Sequence, residues 1–298
     1  MYVLFATLSS IWWLSLGALG IVVGDHVRVD MEPIGIHWSD EAADDGPRIL
    51  VIGDSHLNGT FGKRLSQFLR ELPGAKVRLI GSCGRWSNAW VRGLRAHCGL
   101  RMIDEDGAVS WGKGCARNPC SPRDGRSCSA RACRTPKIET LLEEFKPDMT
   151  VVSLGGNSIF RSTVRNQWQN IEPYVVDLAR SIHESGSDCM WVTPAHGLNK
   201  SRSKMRHFRD FLGRVTTGYC GIFDSGPRAR PYLDYKAAVS EAHAGPDDHD
   251  KIHYDRLGRA GRWRVEQWAR DVMLDVVERL ERGKRQLAVD LAFTSWLL

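Results

Sequence analysis

From Tyr2 to Val23 the chain carries no charged residue, and Trp12, Trp13 and many aliphatic side chains make this run long enough to cross a bilayer. An acidic stretch with Asp40, Glu41, Asp44 and Asp45 follows, and the pattern then becomes that of a folded domain. Arg48-Ile49-Leu50-Val51-Ile52, closed by Gly53, reads as a strand buried on both faces. Phe61, Leu65, Phe68, Leu69 and Leu72 recur at three- and four-residue steps, which predicts a helix with one buried face, and Pro73-Gly74 stops it. A second strand runs from Val77 to Ile80. From Ser82 to about Pro136 the periodicity fades while Gly, Arg, Cys and Pro accumulate, describing a long excursion without a sizeable core of its own. Regular patterning resumes with a helix near Lys137 to Phe145 and a strand from Met149 to Leu154. A helix around Gln167 to His183 and a strand from Met190 to Thr193 come next. A basic helix near Ser203 to Val215 leads to a strand from Tyr219 to Phe223, and a long helix spans roughly Leu257 to Leu280.

Strands alternating with helices imply right-handed crossovers and a parallel sheet covered on both faces. The expected fold is α/β: a three-layer, flavodoxin-like domain with a parallel five-stranded sheet and helices on both faces. Its organisation divides into an N-terminal apolar segment over 1–24, a linker over 25–46, a domain over 47–282 and a C-terminal tail over 283–298. The domain is interrupted by a Cys-rich insertion at 82–136. A chain of 298 residues suits one such domain better than two, and there is no internal repeat.

Composition narrows this further. The apolar share of 42% and charged share of 26% are those of a globular body and exclude extensive disorder. The net charge of +6 comes from 41 basic and 35 acidic residues, a mildly basic surface with no nucleic-acid module signature. The densest basic stretch, Lys200, Arg202, Lys204, Arg206, Arg209 and Arg214, reads first as a solvated helix face, with an anionic glycan or a membrane as the alternative neighbours. The apolar first segment is a signal peptide or a membrane anchor: Ala18, Gly20 and Gly24 offer cleavage positions, whereas a basic leading region is missing. Either way the protein is expected to be exported, as a periplasmic, secreted or membrane-anchored protein facing an oxidising compartment. Eight cysteines agree with that. Cys115, Cys120, Cys128 and Cys133 follow a C-x4-C-x7-C-x4-C spacing, looser than zinc knuckles and better suited to disulfides. Cys189 and Cys220, inside predicted strands, read as buried free thiols.

In open α/β sheets ligands bind beyond the carboxyl ends of the strands, and four blocks of candidate chemistry fall there. Strand one ends in Gly53-Asp54-Ser55-His56, presenting the Ser55 hydroxyl. Strand two leads to Gly81-Ser82-Cys83-Gly84, and the third strand to Gly155-Gly156-Asn157-Ser158. The backbone amides of Ser55 and Gly84, with the Asn157 side-chain amide, are donors suited to an oxyanion; Gly84 is preferred to Gly81 because it lies further into its loop. Asp250-Lys251-Ile252-His253 precedes the last helix, a spacing that lets one loop present both side chains. Asp250 would fix the His253 tautomer and leave the second ring nitrogen to take the serine proton. The acidic run Asp247-Asp248-His249-Asp250 admits a divalent metal as the alternative reading. His56, adjacent to Ser55, reads as structural or substrate-facing. Trp86 and Trp90 in the insertion suit sugar stacking or burial, and His196 and Asn199 lie in a loop beside the expected site.

Together these blocks resemble the SGNH or GDSL hydrolase family, over roughly residues 47 to 280. The resemblance implies Ser55 as nucleophile, Gly84 and Asn157 as oxyanion donors beside the Ser55 amide, and Asp250 with His253 completing a triad. The family often has leucine after Gly-Asp-Ser, where this chain has His56, and the stretch between Gly84 and Asn157 is longer than compact members need. The function expected is a serine esterase cleaving O-acyl, short-chain acetyl, esters of a cell-envelope carbohydrate, with no cofactor and no metal. Two alternatives share the fold: an O-acetyltransferase with the same triad, and a glycan-binding protein without turnover. The expected partner is an ester substrate such as an acetylated glycan, with the membrane added if the first segment is retained, and no nucleic acid.

Overall fold

The computed structural model describes residues 46–96, 99–111, 134–161, 167–197, 201–243 and 253–296. The apolar first segment, the linker up to residue 45, the cysteine cluster at 115–133, Cys98, Asn199 and the Asp247–Asp250 loop lie outside the described residues. No described helix is long and apolar enough to cross a membrane.

The elements follow in the order β1 (Arg48–Gly53), α1 (Ser55–Asn58), α2 (Thr60–Arg70), β2 (Lys76–Ser82), α3 (Ser87–Arg92), β3 (Leu100–Ile103) and β4 (Val109–Trp111). Next come α4 (Ile138–Phe145), β5 (Met149–Ser153), α5 (Gly156–Arg161), α6 (Gln167–Glu184), β6 (Asp188–Val192) and α7 (Arg202–Val215). The chain continues through β7 (Gly221–Phe223), α8 (Tyr235–Glu241) and α9 (Gly258–Trp296). One sheet runs β4-β3-β2-β1-β5-β6-β7. From β2 to β7 every neighbouring pair is parallel, and the order is that of flavodoxin-like sheets, whose switch point falls beside the first strand.

Among the described residues the sheet has seven strands, which corrects the expected five. β3 pairs antiparallel with β2, and β4 antiparallel with β3. Their signal is a four-residue turn, Asp104 to Gly107, in which the Gly107 amide donates to the Asp104 carbonyl at 2.8 Å and Gly107 takes a φ of +86°. The Asp106-Gly107 pair is a hairpin signature, but the strands around it are only four and three residues long, too short for their alternation to stand out. β3 is held by β2 and β4 in turn by β3.

Each central strand buries both faces, as crossover helices require. Leu50 and Ile52 of β1 pack with Ile80, Val152 and Trp191 against Leu141, Phe145, Leu178 and Phe208 of α4, α6 and α7. Ile49 and Val51, equally buried, point to the opposite face, where α2 and α9 pack on one another. Burying each such side chain contributes about 2 kcal/mol.

Two further expectations are corrected. The final helix does not stop near Leu280 but runs to Trp296, so 283–296 is helical and not a tail; the turn of charged residues around Glu281 to Arg285 dilutes the apolar stripe without breaking the backbone pattern. Cys189 and Cys220 are not free thiols but a disulfide. The β6–β7 register sets Met190 opposite Gly221, so one step back places Cys189 opposite Cys220, with Cα atoms 4.5 Å apart. Lateral pairing of this kind is invisible until the strand order is known. Cys83, following β2, is also disulfide-bonded.

Candidate active site

The site is built from Asp54 outward. Its carboxylate is 2% exposed and accepts from the His56 amide at 3.1 Å, capping α1. Its own amide donates to the Ser153 carbonyl at 3.2 Å, which ties the end of β1 to the end of β5. Ser55, half-buried, is therefore presented from a turn whose backbone is fixed on both sides.

The Ser55 hydroxyl lies 3.2 Å from Nε2 of His253 across 198 residues of sequence, hydrogen-bond distance between a hydroxyl and an imidazole. His253 begins the short turn Tyr254–Arg256 ahead of α9. The Tyr235 hydroxyl donates to the His253 carbonyl at 3.5 Å, and the Tyr254 hydroxyl donates to the Leu233 carbonyl at 2.5 Å. Burial pushes the Tyr254 phenol well above its ordinary range, so it stays a donor. The two tyrosine rings meet edge-on at 4.8 Å, and together they set the height of the His253 backbone.

Behind His253 stands His56, 7% exposed. The two imidazole centroids are 5.0 Å apart, and the far side of His56 meets Trp268 of α9 at 5.6 Å, edge-on. Trp268 is stacked at 3.8 Å on Phe61 of α2. His56 thus backs the His253 ring from a packed wall, the structural role open to it in the sequence. Asp250 lies outside the described residues.

On the other side of Ser55 the loops after β2 and β5 meet. Asn157 donates through Nδ2 to the Arg85 carbonyl at 3.0 Å and lies 3.5 Å from Oδ2 of Asp54. That first bond joins the first turn of α5 to the loop carrying Gly84. Gly84 has a φ of +73°, a left-handed conformation that glycine adopts without the clash a Cβ would bring. Gly81, by contrast, lies within β2 opposite Gly53, where a Cβ would collide with Asn58. It is a packing glycine. Gly155 combines a φ of +132° with a close approach to the Phe208 ring of α7, so α5 with Asn157 can follow β5 only with glycine there.

No protein-family model matches the sequence, and no curated protein is similar to it. Solved structures are similar to it at low identity. One is described as a peptidoglycan O-acetylesterase in action, 13% identical over 81% of this chain and 93% of that one, with a TM-score of 0.46. Another is Axe2, an acetylxylan esterase from Geobacillus stearothermophilus, 16% identical over 76% and 93%, TM-score 0.42. A third is a family two carbohydrate esterase from Cellvibrio japonicus, 13% identical over 76% and 61%, TM-score 0.40.

Other residues marked in the sequence fall elsewhere. Trp90 is fully buried in the core and is closed to a sugar ring, whereas Trp86 is half-buried and packs edge-on against Tyr174 at 5.6 Å. His196 is 3% exposed, with Nδ1 3.7 Å from Asp234. No group of three or more metal-ligand side chains occurs among the described residues. Sequence reasoning did not single out Tyr235, Tyr254 or Trp268. Tyr254 had a signal in its place directly after His253, whereas Trp268 is one apolar position among many on a long helix.

Proposed function

We propose that this protein is a serine hydrolase of the SGNH type, cleaving short-chain O-acyl esters through an acyl-enzyme on Ser55. The observation that carries the reading is the 3.2 Å approach of the Ser55 hydroxyl to Nε2 of His253 at the carboxyl edge of the sheet. In this reading Nε2 accepts the hydroxyl proton as Oγ attacks the ester carbonyl carbon. The carbonyl π electrons pass to its oxygen, and the resulting oxyanion is met by the amides of Ser55 and Gly84 and by Nδ2 of Asn157. Asn157 carries two hydrogens on Nδ2. One is held by the Arg85 carbonyl at 3.0 Å; the other has only the 3.5 Å contact to Asp54, at the limit of a hydrogen bond, so a developing oxyanion competes for it readily.

Collapse of the tetrahedral adduct expels the alcohol, which takes the proton from the His253 imidazolium. Water then attacks the acyl-Ser55 ester with His253 again as base, releasing the carboxylic acid and restoring the hydroxyl. Asp250 is proposed to hold Nδ1 of His253 and stabilise the imidazolium. The alcohol is proposed to be a cell-envelope carbohydrate. In support, the Cys189–Cys220 disulfide and the bonded Cys83 suit an oxidising compartment outside the cytosol. The test is hydrolysis of 4-nitrophenyl acetate by the wild type and by Ser55→Ala. The wild type turns over, and the variant loses about 10⁴-fold or more of kcat. Equal rates in the two proteins would remove Ser55 from the chemistry.

A further inference from the structure

A second concave feature lies on the same sheet edge. A cavity of about 380 Å³ opens at the carboxyl ends of β6 and β7, between α7 and the segment that follows β7, a volume within the range of ligand sites. Arg202, Arg206 and Arg209 of α7 reach it from one wall and Arg228 from the other. Two of these guanidiniums are already compensated. Arg202 pairs with Asp234, and Arg209 bonds Asp210 and, at 3.0 Å, Asp224. Those bonds, Asp210 first, hold the Arg209 guanidinium above its ordinary range. Asp224, the carboxylate lining the cavity, is further occupied by the Gly226 amide at 2.8 Å. Among the described residues Arg206 and Arg228 make no ion pair, so within that set the cavity presents two guanidinium forks with no carboxylate partner, beside Pro194 and Met205.

From this geometry we infer that the cavity binds the carboxylate-bearing sugar of an acidic carbohydrate, with Arg206 and Arg228 gripping the anion. A carboxylate accepts two parallel hydrogen bonds from a guanidinium fork, while the C–H face of a pyranose packs on Pro194 and Met205. A membrane surface is flat and would not enter a concavity of this kind. The cavity is also anchored to the ester site. The Ser225 amide donates to Thr193 at 2.8 Å on its floor, and Ser225 Oγ accepts at 2.9 Å from the indole of Trp268, the ring that backs His56. On the α7 side, Phe208 abuts Gly155 in the connection from β5 into α5, the helix that carries Asn157. A polymer lying along the sheet edge can place an acidic unit in the cavity and its ester at Ser55. The ester half of this arrangement rests on the serine-hydrolase reading; the anion-binding half does not.

The test is calorimetric titration of the full-length wild type and of Arg206→Ala/Arg228→Ala with oligogalacturonate, neutral xylo-oligosaccharide and inorganic phosphate, each protein first shown to unfold cooperatively. The wild type binds oligogalacturonate, weakening as salt rises; the double variant binds it at least tenfold more weakly, and Arg206→Lys/Arg228→Lys, which keeps the charge without the fork, falls between. Equal binding by wild type and Ala variant, no binding by either, or binding of phosphate but not of the acidic sugar overturns the proposal. So does arginine-dependent sedimentation with phosphatidylglycerol vesicles in the absence of oligogalacturonate binding. A second readout joins the two halves: kcat/KM on acetylated pectin relative to acetylated xylan falls about tenfold in the Ala variant. A wild type that binds oligogalacturonate but hydrolyses no ester would sink the hydrolase reading and leave the anion site standing.

Discussion

Asn157 is the residue whose present partners say most about its proposed work. Its amide is already oriented by the Arg85 carbonyl, so it meets an oxyanion without first losing side-chain freedom, which is what makes a fixed donor effective in a water-poor site. Asn157→Ala is therefore expected to lower kcat on 4-nitrophenyl acetate by about 10²-fold with KM little changed. A rise in KM at constant kcat would assign it to substrate binding instead. The residue types at this site were legible in the sequence because each sits immediately after a strand: Ser55 after β1, Gly84 in the loop after β2 and Asn157 after β5. The wall of His56, Trp268 and Phe61 was not legible, because ring stacking between α2 and α9 depends on which helices share a face of the sheet.

At the scale of elements, the loop between β7 and α9 carries His253, and α8 is the piece that steadies it. Asp234 caps α8 through the Lys236 amide at 3.0 Å, pairs with Arg202 and lies 3.7 Å from His196. Burial raises its carboxyl pKa, but the bonds from Arg202 and from the Lys236 and Ala237 amides outweigh burial and leave it below the ordinary carboxylate range. A depressed folded pKa contributes stability that is complete above the unfolded value and disappears as pH falls through the folded one. Asp234→Ala is thus expected to cost about 1 kcal/mol, or about 3 °C in Tm, at pH 7. Thermal melts across pH should show the gap closing below about pH 4; a gap that widens in acid would contradict the assignment. The parallel strands and the helices between them could be read from runs such as Ile49–Ile52 and from the three- and four-residue steps of α2. The β3–β4 hairpin could not, since its strands are only four and three residues long and are held in place by pairing, β3 on β2 and β4 on β3.

Over the whole molecule, the parallel sheet sets the loops after β1, β2 and β5 side by side, while α9 crosses behind to support the loop that brings in His253. The Cys189–Cys220 bond staples β6 to β7 at their amino ends, opposite the carboxyl ends where the arginine-lined cavity opens. It closes a loop with a sequence separation of 31, for which chain entropy gives about 3–4 kcal/mol. The paired Cys189→Ala/Cys220→Ala variant should accordingly melt about 10 °C lower than the oxidised wild type, and reductant should lower the wild-type Tm toward that of the variant. An unchanged Tm would mean that strand pairing alone secures β7. The sequence placed both cysteines in strands but could not pair them, because strand order in a sheet is set by crossovers that no local pattern records.

The most direct test of the whole arrangement is chemical. The folded wild type, treated with a fluorophosphonate and digested for mass analysis, should carry one phosphonyl adduct on the peptide containing Ser55, and His253→Ala should lose most of that labelling while remaining folded. Labelling at another residue, or equal labelling of Ser55 with and without the His253 imidazole, would mean that the 3.2 Å contact between them does not activate the serine.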